Sequence, residues 1–236
     1  MQINSDKNYI HFSSLRCPVK PFRIKTSKGY LYCAEIDYKK DYPDKFYKKI
    51  GKFFLDNFAN TSSHPFWKKC RKPNLNKEVY NDYINSSIES YKQHFFNPDS
   101  TVLLVKNSKK QLVGALYSRP LELSKTLTDK DTLYIDSLAI KQKYRGNSIG
   151  KKVLNKSLNV SKERFGEFFL VAYKESARFY EKLRFTKMSK NEPSQAFAIS
   201  ELAKERIDYP DYADFMQMSL KEQLPNRWYN RIKNNK

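Results

Sequence analysis

Residues 132–185 alternate between extended and helical hydrophobic periods, and no other stretch constrains the fold as strongly. The apolar run TLYIDSLAI, a strand expected over Leu133–Ile140, leads through KQKYRG into a helical pattern over Ile149–Phe165. Its apolar positions Ile149, Val153, Leu154 and Leu158 share one face. Gly166 permits a turn into a second short strand, FFLVAY, and ESARFYEKL follows as a short helix with Ala177, Tyr180 and Leu183 directed inward. A strand, helix and strand in this order pack as a right-handed crossover between two parallel strands. The chain is therefore expected to hold an α/β unit with a helix laid on a sheet.

The flanking segments extend that sheet. Upstream, YLYCAEID (Tyr30–Asp37) reads as a strand. Phe46, Ile50, Phe53, Phe54 and Phe58 recur at helical spacing, as do Tyr80, Ile84, Ile88, Tyr91 and Phe95 in a helix expected over Lys77–Phe95. After Pro98 the period becomes extended, and TVLLVKN and QLVGALYSR flank SKK in the manner of a hairpin. RFTKMS (Arg184–Ser189) and DFMQMSL (Asp214–Leu220) are further strands. Between them, 191–213 reads as an insertion with a helix over Ser194–Arg206. Residues 1–28, broken by Pro18 and Pro21, read as an irregular N-terminal extension, 29–224 as one domain, and 225–236 as an exposed basic tail.

Only 6 of 236 residues are glycine, yet Gly146 and Gly150 stand four apart in YRGNSIGKK, between the strand and the helix. A turn from the end of a strand into a helix N-terminus leaves several backbone N–H groups without intrahelical partners and carries roughly half a positive charge. Such a place binds phosphate, and Arg145, Lys151 and Lys152 add charge around it. The spacing alone is equally that of a tight strand-to-helix connection. It fits neither G-x-G-x-x-G nor G-x-x-x-x-G-K-[ST], which argues against a dinucleotide fold or a nucleoside triphosphatase.

YIDSLAIKQKYRGNSIGKKVL resembles the acetyl-CoA binding motif of the GCN5-related N-acetyltransferase (GNAT) superfamily, in which a strand ending in Leu-Ala-Val or similar precedes R/Q-x-x-G-x-G/A. ESARFYEKLRF, some thirty residues on, is similar to that family's Ala-x-x-Phe-Tyr-x-Lys-x-Gly-Phe segment. Two motifs in this order and at this separation are more specific than either alone. The sequence departs from the pattern at three places: Ser148 stands for the first motif glycine, Tyr173 for an asparagine seven residues before the tyrosine, and Arg184 for the glycine before the final phenylalanine.

The resemblance implies a mixed α/β (α+β), mostly antiparallel sheet of about six to seven strands flanked by helices, with an acyl-CoA cleft between two splayed parallel strands. It implies that Leu138, Ala139 and Ile140 pair with the pantetheine arm, and that Arg145, Gly146, Asn147, Ser148, Ile149, Gly150 and Lys151 hold the pyrophosphate, with Ser176 also at the coenzyme. Tyr180 aligns with the tyrosine that protonates the departing CoA thiolate, and Asp136, just before the pantetheine segment, is the candidate base or substrate-orienting carboxylate, with Glu122 and Glu175 as weaker alternatives. A base is required because a lysine-type amine with a pKa near ~10.4 is neutral in only about one molecule per few thousand at pH 7. The implied reaction is acetyl transfer from acetyl-CoA to a primary amine on a small molecule or a protein.

Charge alone names no partner. Against 25 acidic residues stand 45 Lys and Arg, a net +20 that attracts phosphorylated ligands and polyanions. Abundant Lys, Asn, Tyr, Phe and Ile also fit A/T-rich codon usage. Two other functions stay open: a catalytically silent acyl-CoA-binding regulatory module, and a basic nucleic-acid- or ribosome-associated protein. Cys17, Cys33 and Cys70 are odd in number and widely spaced, without zinc-ligand spacing, which fits a reducing cytoplasm. No metal site is expected, and His11, His64 and His94 lie far from both motifs in sequence. The N-terminus lacks a signal-peptide pattern, and no apolar run is long enough to span a membrane.

Overall fold

A computed structural model of the chain describes residues 18–59, 70, 76–95, 97–121, 132–188 and 213–219. Eight strands among them form one sheet: β1 (Phe22–Thr26), β2 (Gly29–Glu35), β3 (Thr101–Lys106), β4 (Leu112–Pro120), β5 (Thr132–Ile140), β6 (Glu167–Tyr173), β7 (Thr186–Lys187) and β8 (Ala213–Ser219). The spatial order is β1-β2-β3-β4-β5-β6-β8-β7. Every neighbouring pair is antiparallel except β5 and β6. Helices α1 (Asp44–Ala59) and α2 (Lys77–Phe95) cover one face, and α3 (Ile149–Ser161) and α4 (Lys174–Glu181) cover the other.

The strand periodicity divides the core accordingly. Leu103, Val105, Leu116, Leu133 and Ile135 pack with Val153, Leu154 and Leu158 of α3, whereas Val102, Leu104, Ala115 and Tyr117 pack with Tyr47, Ile50 and Phe54 of α1 and Tyr91 and Phe95 of α2. Helix α2 begins where the Asn76 side chain accepts the Val79 N–H at 3.1 Å, an N-cap that takes one of the four orphan amides of the first turn. Lys92 and His94 then lie in its last turn, where cations oppose the dipole.

Two sequence expectations need correction. The first 28 residues are not irregular throughout, because Phe22–Thr26 pairs with β2 from Phe22↔Cys33 to Thr26↔Gly29 and the sheet has eight strands rather than six or seven. FRIKT is too short, and too close to Pro18 and Pro21, for its alternation to be visible, yet Ile24 is fully buried against the α3 side. Helix α3 stops at Ser161 instead of Phe165, since a turn closed by Phe165 N–H to Ser161 O at 2.9 Å carries the Phe165 ring into the core. The helix expected over Ser194–Arg206, most of the insertion and the basic tail lie outside the described residues.

Candidate functional site

The site originates in a failure of strand pairing. Strands β5 and β6 pair in parallel only from Thr132↔Glu167 to Ile135↔Leu170, although β5 continues to Ile140 and β6 to Tyr173. On its other side, β5 pairs with β4 at Tyr117↔Ser137 and at Arg119↔Tyr134, so three steps along β5 match two along β4. One extra residue in β5 makes a bulge, which bends a strand and re-aims side chains. The bulge lies where β5 leaves β6, and it places Asp136 at the opening.

Beyond the opening, a 3-10 turn at Gln142–Tyr144 delivers the chain to the start of α3. Among the described residues, none of the six successive N–H groups from Gly146 to Lys151 is bonded to a protein acceptor. The preceding amides are closed locally, Tyr144 onto Lys141 O and Arg145 onto Gln142 O. Gly146 adopts φ +83°, and a Cβ there would meet nothing within 4 Å, so the backbone faces open space. The Asn147 amide group ties the loop down by donating to Tyr144 O at 3.2 Å and Arg145 O at 3.3 Å. Arg145 Nε donates to Ile140 O at 2.9 Å, joining the loop to the end of β5. Gly150 packs closely but leaves room for one carbon: a Cβ there would lie 3.4 Å from Phe179 Cζ and 3.8 Å from Ile140 Cγ1, both ordinary contacts. Alanine therefore fits at 150 and a large side chain does not.

Both positions where the sequence lacks the family's glycine adopt left-handed backbone, Ser148 with φ +55° and Arg184 with φ +71°. A side chain in that region costs about 1–2 kcal/mol. Ser148 caps α3 without a side-chain hydrogen bond, so nothing local offsets its strain. We expect Ser148→Gly and Arg184→Gly each to recover about 1 kcal/mol less the extra entropy glycine loses. The net rise is about 1–2 °C in a domain of this size, measured by thermal unfolding of the free protein; a fall in both would refute the strain.

Arg184 also completes a Schellman cap. Phe185 N–H donates to Tyr180 O at 3.1 Å and Arg184 N–H to Glu181 O at 2.9 Å, with the Phe185 and Tyr180 rings edge to face, centroids 5.9 Å apart. Tyr180 is thus held from both sides, with Phe179 edge-on at 5.0 Å. Burial pushes its phenol pKa well above the ordinary value, which keeps the proton on the oxygen.

Asp136 occupies an unusual setting. Its side chain keeps 32% exposure, yet burial is the main cause that raises its carboxyl pKa above the ordinary range. Ser137 Oγ donates to Asp136 Oδ1 at 2.8 Å, Arg119 Nε lies 3.9 Å from Oδ2, and His94 is within electrostatic reach; all three pull the pKa down without overcoming burial. Around the carboxylate stand four tyrosines, each raised first by burial and then affected by the Asp136 charge: Tyr83 and Tyr91 from α2, Tyr117 from β4 and Tyr134 from β5. The Arg119 guanidinium lies 5.3 Å from the Tyr134 ring centre, and Tyr134 also senses Tyr173 and Tyr180.

The sequence-derived candidates are placed as follows. Leu138, Ala139 and Ile140 lie on β5 beyond its last pair with β6. Arg145, Gly146, Asn147, Ser148, Ile149, Gly150 and Lys151 form the loop and first turn of α3. Ser176 lies in the first turn of α4, its hydroxyl donating to Tyr173 O at 2.9 Å. Tyr173 turns its ring toward Phe58 of α1, centroids 6.3 Å apart. Glu175 is exposed on α4, and Glu122, His11 and His64 lie outside the described residues. Sequence distance misled at His94, which α2 brings near Asp136. Arg119, Tyr83, Tyr117 and Tyr134 were not singled out either. A signal for part of this set exists, because positions 83, 87, 91 and 94 form a polar-aromatic stripe beside the apolar face of α2.

Comparison with known proteins gives a consistent result. The profile of the Acetyltransferase (GNAT) family matches residues 67–185. A GNAT family acetyltransferase from Staphylococcus aureus Mu50 superposes with a TM-score of 0.52 at 16% identity, covering 80% of this chain and 99% of that one. A GNAT family acetyltransferase from Listeria monocytogenes 4b F2365 gives 0.50 at 11% identity, covering 84% and 100%. At these identities the likeness is one of fold. No curated protein matches by sequence.

Proposed function

The chain belongs to the GNAT acetyltransferase family, whose members carry out acetyl transfer from acyl-CoA, and from that premise we propose that it is an N-acetyltransferase in which a primary amine attacks the acetyl-CoA thioester directly. The observation that carries this reading is the β5–β6 divergence, with Asp136 at its opening and six unbonded amides at its far end. The loop suits a pyrophosphate: its unbonded N–H groups belong to the positive end of α3, and a Cβ at Gly146 would meet nothing within 4 Å. Leu138–Ile140 would align the pantetheine arm along the edge that β6 vacates.

When bound, the coenzyme supplies an activated acyl group. The protein's own groups manage two protons. Asp136 would take the proton of an incoming ammonium, directly or through water; its pKa, raised by burial, makes it a stronger base than an exposed carboxylate. Tyr180, kept protonated by burial, would donate to the departing sulfur. The reading places the protein in the reducing cytoplasm, supported by the buried, free Cys33 and Cys70. No helix among the described residues is long and apolar enough to cross a membrane.

The test is a thermal shift with acetyl-CoA and with CoA, followed by thiol release in the presence of candidate amines. Stabilisation by both ligands with thiol release supports the proposal; stabilisation without release from any amine supports a silent acyl-CoA-binding module instead. In an active preparation, Tyr180→Phe should lower kcat by about a hundredfold or more and leave the CoA-induced shift nearly that of wild type. Unchanged kcat would remove Tyr180 from the role of acid.

A further inference from the structure

Among the described residues no helix covers the α1/α2 face of the sheet at its β1 edge, and the residues displayed there follow one pattern. Across the strands, Arg23 of β1, Tyr32 of β2 and Lys106 of β3 stand in register, with the pair Lys25 and Tyr30 one step further. All five are exposed, and Tyr30 at 53% and Tyr32 at 46% are the exposed large hydrophobic residues of the described chain. On the opposite face of the same strands Ile24, Leu31, Cys33 and Val105 are buried beneath α3. The Arg23 guanidinium lies 5.3 Å from the Tyr32 ring centre. Glu35, the one acidic residue of β1–β3, is on the buried face and accepts the Val19 N–H at 2.6 Å. Lys109 and Lys110 in the β3–β4 turn stand at the Tyr30 end of the platform.

We propose that this face binds single-stranded RNA, Tyr30 and Tyr32 each stacking one base while Arg23, Lys25 and Lys106 take the adjoining phosphates. Successive residues on one face of a strand are about 6.6 Å apart, roughly twice the 3.4 Å step of a stacked strand. Two such rings can receive neighbouring bases only from a strand already unstacked and splayed, which excludes a duplex. Aromatic stacking combined with a cationic groove is how sequence-tolerant single-strand binding is achieved. The phenolic oxygens, each both donor and acceptor, suit 2′-hydroxyls and favour RNA over DNA. The net charge of +20 supplies the long-range attraction. The proposal is independent of the acetyl-transfer reading, because the platform shares no residue with the coenzyme loop or with Asp136.

The experiment is fluorescence anisotropy of the full chain with a labelled, unstructured 12-nucleotide RNA over a salt series, against the same sequence as DNA and as duplex RNA. Tyr32→Ala should weaken binding about tenfold and the double Tyr30→Ala/Tyr32→Ala about a hundredfold. Tyr32→Phe should retain most of it. Lys25→Ala with Lys106→Ala should reduce the slope of log K on log salt by about 1.4. The thermal unfolding midpoint of each free variant serves as the folding control and should stay within a few degrees of wild type, as expected for exposed positions. No binding by wild type, equal binding of the duplex or the DNA strand, or full binding by the double tyrosine variant would each overturn the proposal.

Discussion

Gly150→Trp is expected to lose the thermal shift that acetyl-CoA and CoA give the parent protein, while Gly150→Ala keeps it. At a ligand concentration of 100 Kd, occupancy adds about 2.7 kcal/mol, or about 5–10 °C for a domain of this size. The Trp variant should show less than about 1 °C. The contrast follows from space: at position 150 the first atom of a side chain already meets Phe179 at 3.4 Å, an ordinary contact, and Ile140 at 3.8 Å. A methyl group fits, and an indole must displace either Phe179 of α4 or the first turn of α3, which presents the amides. Gly146→Pro should give the same loss by a different route. Proline fixes φ near −65°, whereas Gly146 holds +83° and supplies one of the six unbonded N–H groups. Arg145, with φ −63° and ψ 162°, already has the conformation that precedes proline, so the conflict is confined to position 146. Retained coenzyme binding by both Gly150→Trp and Gly146→Pro would mean that the pyrophosphate binds elsewhere.

Much of this geometry is legible in the sequence because it depends on local period and backbone demand. The hydrophobic alternation of β5, the face Ile149–Val153–Leu154–Leu158 and the inward Ala177, Tyr180 and Leu183 all keep their places. Helix α2 runs over Lys77–Phe95 as its spacing predicts. The departures at Ser148 and Arg184 are informative for the same reason. Each marks a position where the backbone takes positive φ whether or not glycine is present. What the sequence conceals is long-range assembly. The residues around Asp136 come from α2, β4 and β5, and no local spacing links His94 or Tyr83 to Arg119 and Tyr134. The bulge that turns Asp136 into the opening is a relation between two strands, visible only in the register of β4 against β5. Strand β1 was missed because five residues after two prolines give too little alternation to read.

Asp136→Asn should separate catalysis from stability in opposite directions. As the base, Asp136 contributes a factor that proton-transfer groups commonly supply, and its loss should lower kcat/KM by about a thousandfold at neutral pH. Stability should move the other way. The folded-state pKa of Asp136 is raised, with burial as the leading cause, so the folded protein holds this proton more tightly than the unfolded chain does. The contribution is fully present below the ordinary carboxylate range near ~4 and is lost as pH rises through the raised value. As pH rises past the ordinary carboxylate range that contribution is withdrawn, and the fold is weakened relative to one with a neutral side chain there. Asparagine, of the same shape and able to accept from Ser137, removes that penalty. We expect the variant to melt above the parent at pH 7, measured by thermal unfolding, with the difference shrinking toward zero below about pH 4, where the parent carboxyl is protonated in both the folded and the unfolded chain. The parent's kcat/KM should likewise rise with pH along a limb displaced above the ordinary carboxylate range. A variant that melts lower than the parent at pH 7, or that keeps its activity, would show that the Arg119 contact makes Asp136 a structural ion pair rather than a base poised in the divergence between β5 and β6.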